Sequence, residues 1–164
     1  MKRQNQITGV LSGRPMKRGR HAAVTHAALI APCGMNCRLC MAYARERKPC
    51  PGCRFDGASK SKSCKLCRIK NCSKLQREKI RYCFDCDEFS CERLKHLDKR
   101  YRMKYGMSMI ENLSYIEQNG IRRFLRSENE KWKCLRCGEL LCVHKPQCLS
   151  CGRVWHQNLT LTTT

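Results

Sequence analysis

Long apolar runs are missing from this sequence. No stretch approaches the roughly 20 residues that a membrane-spanning helix requires. The one apolar stretch near the start, Ala22 to Ala31, is interrupted by Thr25 and His26 and follows polar and basic residues 1–21. It makes a poor signal-peptide core, so the chain is expected in the cytoplasm, where thiols stay reduced. Aromatics are scarce at 7%, and the apolar content of 41% is inflated by cysteine. Too little Leu, Ile, Val and Phe remains for a large core, so something other than hydrophobic burial must staple the fold.

Catalytic signatures are equally thin. None of His21, His26, His96, His144 and His156 sits in a nucleophile or base motif, which argues against an enzyme. Neither alternating strand–helix units nor a thioredoxin-like context surrounds any C-x2-C pair, and that argues against barrel and thiol–disulfide chemistry.

What the sequence does have is cysteine: 16 in 164 residues. At this density, in a reducing compartment, the thiols are expected to be metal ligands, mainly for several Zn²⁺ ions, and not disulfides. The clearest group is Cys134-Leu-Arg-Cys137 and Cys148-Leu-Ser-Cys151, each followed by Gly and separated from one another by ten residues. Two C-x2-C turns let four sulfurs reach one ion at about 2.3 Å, and the ten-residue gap suits a short β-hairpin, so a zinc ribbon is expected here. Cys142 and His144 lie in the connector as alternative ligands or bystanders.

Eleven further cysteines run from Cys33 to Cys91: Cys33, Cys37, Cys40, Cys50, Cys53, Cys64, Cys67, Cys72, Cys83, Cys86 and Cys91. The pairs Cys37/Cys40 and Cys50/Cys53 are nine residues apart; Cys64/Cys67 and Cys83/Cys86 are fifteen apart, a usual zinc spacing. Cys33, Cys72 and Cys91 then remain, with His96 as a fourth donor for a third site. The alternative is an iron–sulfur cluster with a redox or electron-transfer accessory role, although the common ferredoxin spacings are absent. The order Cys64, Cys67, Cys72 recurs as Cys83, Cys86, Cys91, displaced by nineteen residues, which suggests a repeated unit. Asp85, Asp87 and Glu88 beside Cys86 form either a solvated face or partners that tune the thiolates.

Helical signals lie in the second half. Phe89 to Met103 reads as a basic helix with Leu94 and Leu97 inward. Ser108-Met-Ile-Glu111 is a capping box for a helix that carries Ile110, Leu113 and Ile116 and stops at Asn119-Gly120. A short helix follows from Ile121 to about Glu128.

The formal charge is +21. Sixteen thiolates around four Zn²⁺ ions would remove eight positive charges and leave about +13. The chain stays basic, and Tyr82, Phe84 and Phe89 lie between cysteines. They either stack on bases while Lys and Arg meet phosphates, or form the small core beside the metal. The expected partner is therefore nucleic acid or protein, with no membrane.

The string Ala31-Pro-Cys-Gly-Met-Asn-Cys37-Arg-Leu-Cys40-Met-Ala-Tyr43, with Cys50-Pro-Gly-Cys53-Arg54, resembles a known family. So do Ile69-Lys-Asn-Cys72, Tyr82-Cys-Phe-Asp-Cys86-Asp-Glu-Phe-Ser-Cys91 and Glu111-Asn-Leu113. The family comprises small cysteine-rich prokaryotic proteins, known as domain of unknown function 3795. The resemblance spans Ala31 to Leu125 and implies a cysteine-rich, metal-binding domain without an assigned reaction. The expected architecture is a small metal-stabilised α+β protein with four parts. Residues 1–28 form a disordered basic arm and 29–130 a cysteine-rich knuckle block with a helical second half. Residues 131–156 form the β-hairpin zinc ribbon and 157–164 a disordered tail.

Overall fold

Residues 26–155 are described in a computed structural model. The expected basic arm up to residue 25, and the expected tail from 157, lie outside the described residues. The first half is irregular chain punctuated by single turns: 3-10 turns at His26–Leu29, Cys37–Leu39 and Cys83–Asp85, and short helices α1 (Met41–Ala44), α2 (Lys62–Lys65) and α3 (Ser73–Arg77). The second half carries the long helices α4 (Glu92–Tyr105) and α5 (Met109–Lys131).

Buried Leu94 and Asp98 and half-buried Leu97, Tyr101 and Tyr105 recur at helical spacing on α4, so one face meets the core while Lys and Arg occupy the other. Cys91 caps its start, and Gly106, at φ 58°, closes its end with an N–H to the Arg102 carbonyl. The basic helix is thus real but begins at Glu92, three residues later than the sequence suggests.

Ser108 caps α5 by accepting from the Glu111 N–H at 3.0 Å. Asp98 joins the two helices: it accepts from the Ser108 hydroxyl at 2.7 Å and from the Ile110 N–H at 3.1 Å. Gly120 leaves helical geometry at φ 78°, ψ 158°, so α5 is two helical segments meeting where Asn119-Gly120 predicts a stop.

One core unites the halves. Leu29, Ile30, Leu39, Leu94, Met109, Leu113, Phe124 and Trp132 pack together, with the helical segment of α5 lying against the first cysteine turns. Gly34 sits directly on α5, where its carbonyl accepts from the Asn112 side chain at 3.1 Å. Among the described residues, no helix is long and apolar enough to cross a membrane.

The α+β expectation is not met. Among the described residues there are helices and isolated bridges but no strand, and the β-hairpin expected of the ribbon does not form. The connector between the two knuckles is otherwise engaged. The Leu141 N–H bonds the Trp132 carbonyl at 2.8 Å and the Val143 N–H bonds the Leu39 carbonyl at 2.9 Å. Leu141, Cys142 and Val143 are buried, and Pro146 has no N–H to give a ladder. Backbone groups that a hairpin would pair are spent on docking the segment to the helical body.

Candidate metal centre

Each knuckle of the C-terminal group closes on itself. In the first, the Cys134 N–H bonds the Glu139 carbonyl and the Gly138 N–H bonds the Cys134 carbonyl, both at 2.8 Å. In the second, Cys148 N–H to Arg153 carbonyl (2.8 Å) and Gly152 N–H to Cys148 carbonyl (3.0 Å) repeat that pattern. Gly138 and Gly152 adopt φ of 76° and 70°, the left-handed region that turns the chain back after the second cysteine and that a Cβ disfavours. Single bridges, Lys133 to Leu140 and Gln147 to Val154, finish the two turns.

Together the turns bring four sulfurs to a point. The Sγ atoms of Cys134, Cys137, Cys148 and Cys151 all lie within 4.8 Å of one another. Cys134 and Cys151 are 3.7 Å apart, as are Cys137 and Cys148. These pairs are far beyond disulfide length, and they form opposite edges of a tetrahedron. Two opposite edges of 3.7 Å, with every other sulfur pair within 4.8 Å, leave a central space of the size that one four-coordinate thiolate-bound ion takes. N–H groups of Cys137 and Arg136 aimed at Cys134, helped by the neighbouring thiols, hold its thiol down at about 6. Burial pushes Cys148 up to about 11. This group can hold a metal ion.

Cys142 and His144 are not drawn into it. Cys142 is buried with its sulfur 4.0 Å from the Met41 sulfur. His144 accepts from the Met41 N–H at 3.2 Å through Nδ1 and meets the Tyr101 hydroxyl at 3.1 Å through Nε2, boxed edge-on by Tyr101 and Tyr105. Burial lowers its pKa, so it is a neutral spacer that joins the segment between the two C-terminal knuckles to α1 and α4.

The front cysteines are arranged differently. Cys37 accepts from the Cys53 N–H at 3.3 Å, and Cys53 also stands in the field of Cys33 and Cys40. Cys33 further faces Cys67, and Cys40 faces Cys64. Cys83 lies among Cys33, Cys91, Cys72 and Cys86. The sequence repeat therefore does not make two equivalent sites: Cys64 and Cys67 turn toward the first cysteines, while Cys72 joins the second copy. Cys50 is buried beside Lys60, a lysine only 5% exposed whose Nζ donates to the Cys53 carbonyl at 2.9 Å. Burial pushes Cys33 and Cys83 up to about 12 and Cys40 up to about 11; the Cys37 contact and burial raise Cys53 as well. Without a bound cation these groups stay protonated, and binding must release their protons. His96 stands exposed on α4, away from a ligand role in any tight group.

Of the aromatics between cysteines, Tyr82 is buried, stacks on Phe84 at 5.3 Å, and lies under the guanidinium groups of Arg54 and Arg81. Phe84 and Phe89 are half-buried against the same core. These rings build the core and do not form an open stacking platform. Asp87 and Glu88 are exposed and share Lys74, at 2.6 and 3.0 Å, while Asp87 also faces the Cys86 sulfur at 3.5 Å. Sequence reasoning passed over Lys60, Asp98 and Glu128, polar residues whose burial only the tertiary structure reveals.

Residues 29–96 match the family described as "Protein of unknown function (DUF3795)". The matched part contains all eleven front cysteines; most of α4, all of α5 and the C-terminal knuckles lie beyond it. No curated protein and no solved structure matches the chain.

Proposed function

We propose that this chain, a member of the DUF3795 family through residues 29–96, is a metal-built interaction module in which the C-terminal four-cysteine group holds a structural zinc ion. The front cysteines bind further metal. The observation that carries this reading is the pair of opposite 3.7 Å sulfur edges, which fit an ion of zinc–thiolate bond length with no position left for substrate. A closed four-thiolate site fixes a surface and leaves chemistry to other groups.

The surface so fixed is cationic. Lys95, Lys99, Arg100, Arg102 and Lys104 are exposed along α4, which suits an acidic partner, nucleic acid or protein. The test is metal analysis of the purified chain beside a Cys137→Ser/Cys148→Ser variant. Loss of one zinc per chain in the variant supports the reading; equal zinc in both overturns it.

A further inference from the structure

Cys72, Cys83, Cys86 and Cys91 line one cavity of about 510 Å³ between α3, the Cys83–Asp85 turn and the start of α4. We propose that this cavity is an iron–sulfur cluster site with these four cysteines as its ligands. The proposal rests on the reading of the front block as metal-binding and names the metal for one part of it.

The two groups of cysteines contrast within one chain. The C-terminal sulfurs converge on a point that one ion fills. Around the cavity they do not: among the described residues, the C-terminal group alone brings three or more donors within 4.8 Å of one another. Yet Cys83 lies within electrostatic reach of Cys72, Cys86 and Cys91, as well as of Cys33 in the core behind it, and of these Cys72, Cys86 and Cys91 share its cavity. Four cysteines that line one cavity, no three of their sulfurs lying within 4.8 Å of one another, suit a ligand with metal atoms at its periphery. An iron–sulfur core is such a ligand, since each iron takes its own thiolate.

The cavity also has room. A water molecule takes about 30 Å³ of liquid, so a cavity of about 510 Å³ greatly exceeds the need of a bare dication.

The disposition of the sulfurs and their surroundings points the same way. Cys91 is the N-cap of α4 and Cys72 that of α3, yet neither side chain makes a capping hydrogen bond. Their thiols stand at helix starts without being used there, and at the fourteen-residue α4 the positive end of the helix favours a thiolate. Arg93 Nη1 lies 4.0 Å from the Cys72 sulfur, an N–H donor that offsets thiolate charge. Ile69, Leu75 and Leu94 give the wall its apolar part. Asp87 meets the Cys86 sulfur at 3.5 Å, and Lys74 Nζ lies 2.6 Å from that carboxylate and offsets its charge.

The test is anaerobic purification, with iron, zinc and acid-labile sulfide measured per chain alongside visible and electron paramagnetic resonance spectra. The expected result is a brown protein with equal iron and sulfide, four of each for a cubane or two for a rhomb. Cys83→Ser/Cys86→Ser should remove this iron and leave the C-terminal zinc in place. Because that variant can unfold locally, the metal content of the unaltered protein stands as an independent reading. Zinc or no metal at this site, with neither sulfide nor visible absorption after anaerobic reconstitution with ferrous iron and sulfide, overturns the cluster. Loss of zinc from the variant Cys137→Ser/Cys148→Ser bears on the ribbon alone, so the two readings fail separately.

Discussion

Replacing Cys137 and Cys148 by serine removes one 3.7 Å edge of the C-terminal tetrahedron, and the consequence is legible in the chain's two tryptophans. Trp132 is 2% exposed, donates through Nε1 to Glu128 at 3.1 Å, and meets Trp155 edge-on with ring centroids 5.6 Å apart. Trp155 is held from the ribbon side by its N–H to the Pro146 carbonyl at 2.8 Å. The ribbon's own core is Cys134, Leu141 and Cys148. Leu141 is its one buried aliphatic residue, worth about 1.5–3 kcal/mol. A structural zinc contributes about 10–16 kcal/mol at neutral pH. The metal term dominates by several-fold, so the proposed ion predicts that the C-terminal knuckles come apart without it while the α4–α5 core persists. Tryptophan emission should shift to the red and near-ultraviolet dichroism should fall, with far-ultraviolet helix signal nearly unchanged. Unaltered emission from a variant shown to lack the zinc would refute the claim that the ion, and not packing, holds this segment.

Two other perturbations probe the frame that carries the sites. Asp98→Ala strands the Ser108 hydroxyl and the Ile110 N–H in the α4–α5 junction and should cost about 2–4 kcal/mol in denaturant unfolding. Burial raises the Asp98 carboxyl, but the Ser108 and Ile110 hydrogen bonds and Arg102 outweigh it and hold it below 3.8. Its contribution is therefore full above that value and lost as pH falls through the folded pKa, so the gap between wild type and Asp98→Asn should narrow in acid. A gap independent of pH would contradict the ionised clamp. Gly34→Ala should destabilise by about 2–5 kcal/mol, combining a left-handed backbone with overpacking. Its Cβ would fall 2.8 Å from the Met109 carbonyl and 2.9 Å from Leu113 Cγ at φ 84°, and the helix backbone cannot yield. Unchanged stability would show that the first cysteine turn is not seated on α5 as described.

The C-terminal group was readable in advance because a knuckle is local: two cysteines, two intervening residues and a glycine determine the turn, whatever lies around it. The helices from Glu92 onward were readable for the same reason, through Ser108, Asn119-Gly120 and the apolar spacing, whereas the Gly106 stop was passed over. The hairpin was not, since whether Leu141 and Val143 pair with each other's strand or with Trp132 and Leu39 depends on distant residues. Which front cysteines become neighbours depends on distant residues in the same way. Spacing groups Cys64 and Cys67 with Cys83 and Cys86, whereas the fold parts them and hands Cys72 to the second set. Asp98 and Glu128 read as ordinary helix-surface charges, yet both are buried, each matched to hydrogen-bond donors far along the chain or on the next turn.

Zinc-edge X-ray absorption on the purified chain tests the central claim most directly. Four sulfur neighbours at about 2.3 Å, the zinc–thiolate bond length, are the predicted result for the group formed by Cys134, Cys137, Cys148 and Cys151. Nitrogen or oxygen in the zinc shell, or fewer than four sulfurs, would contradict it.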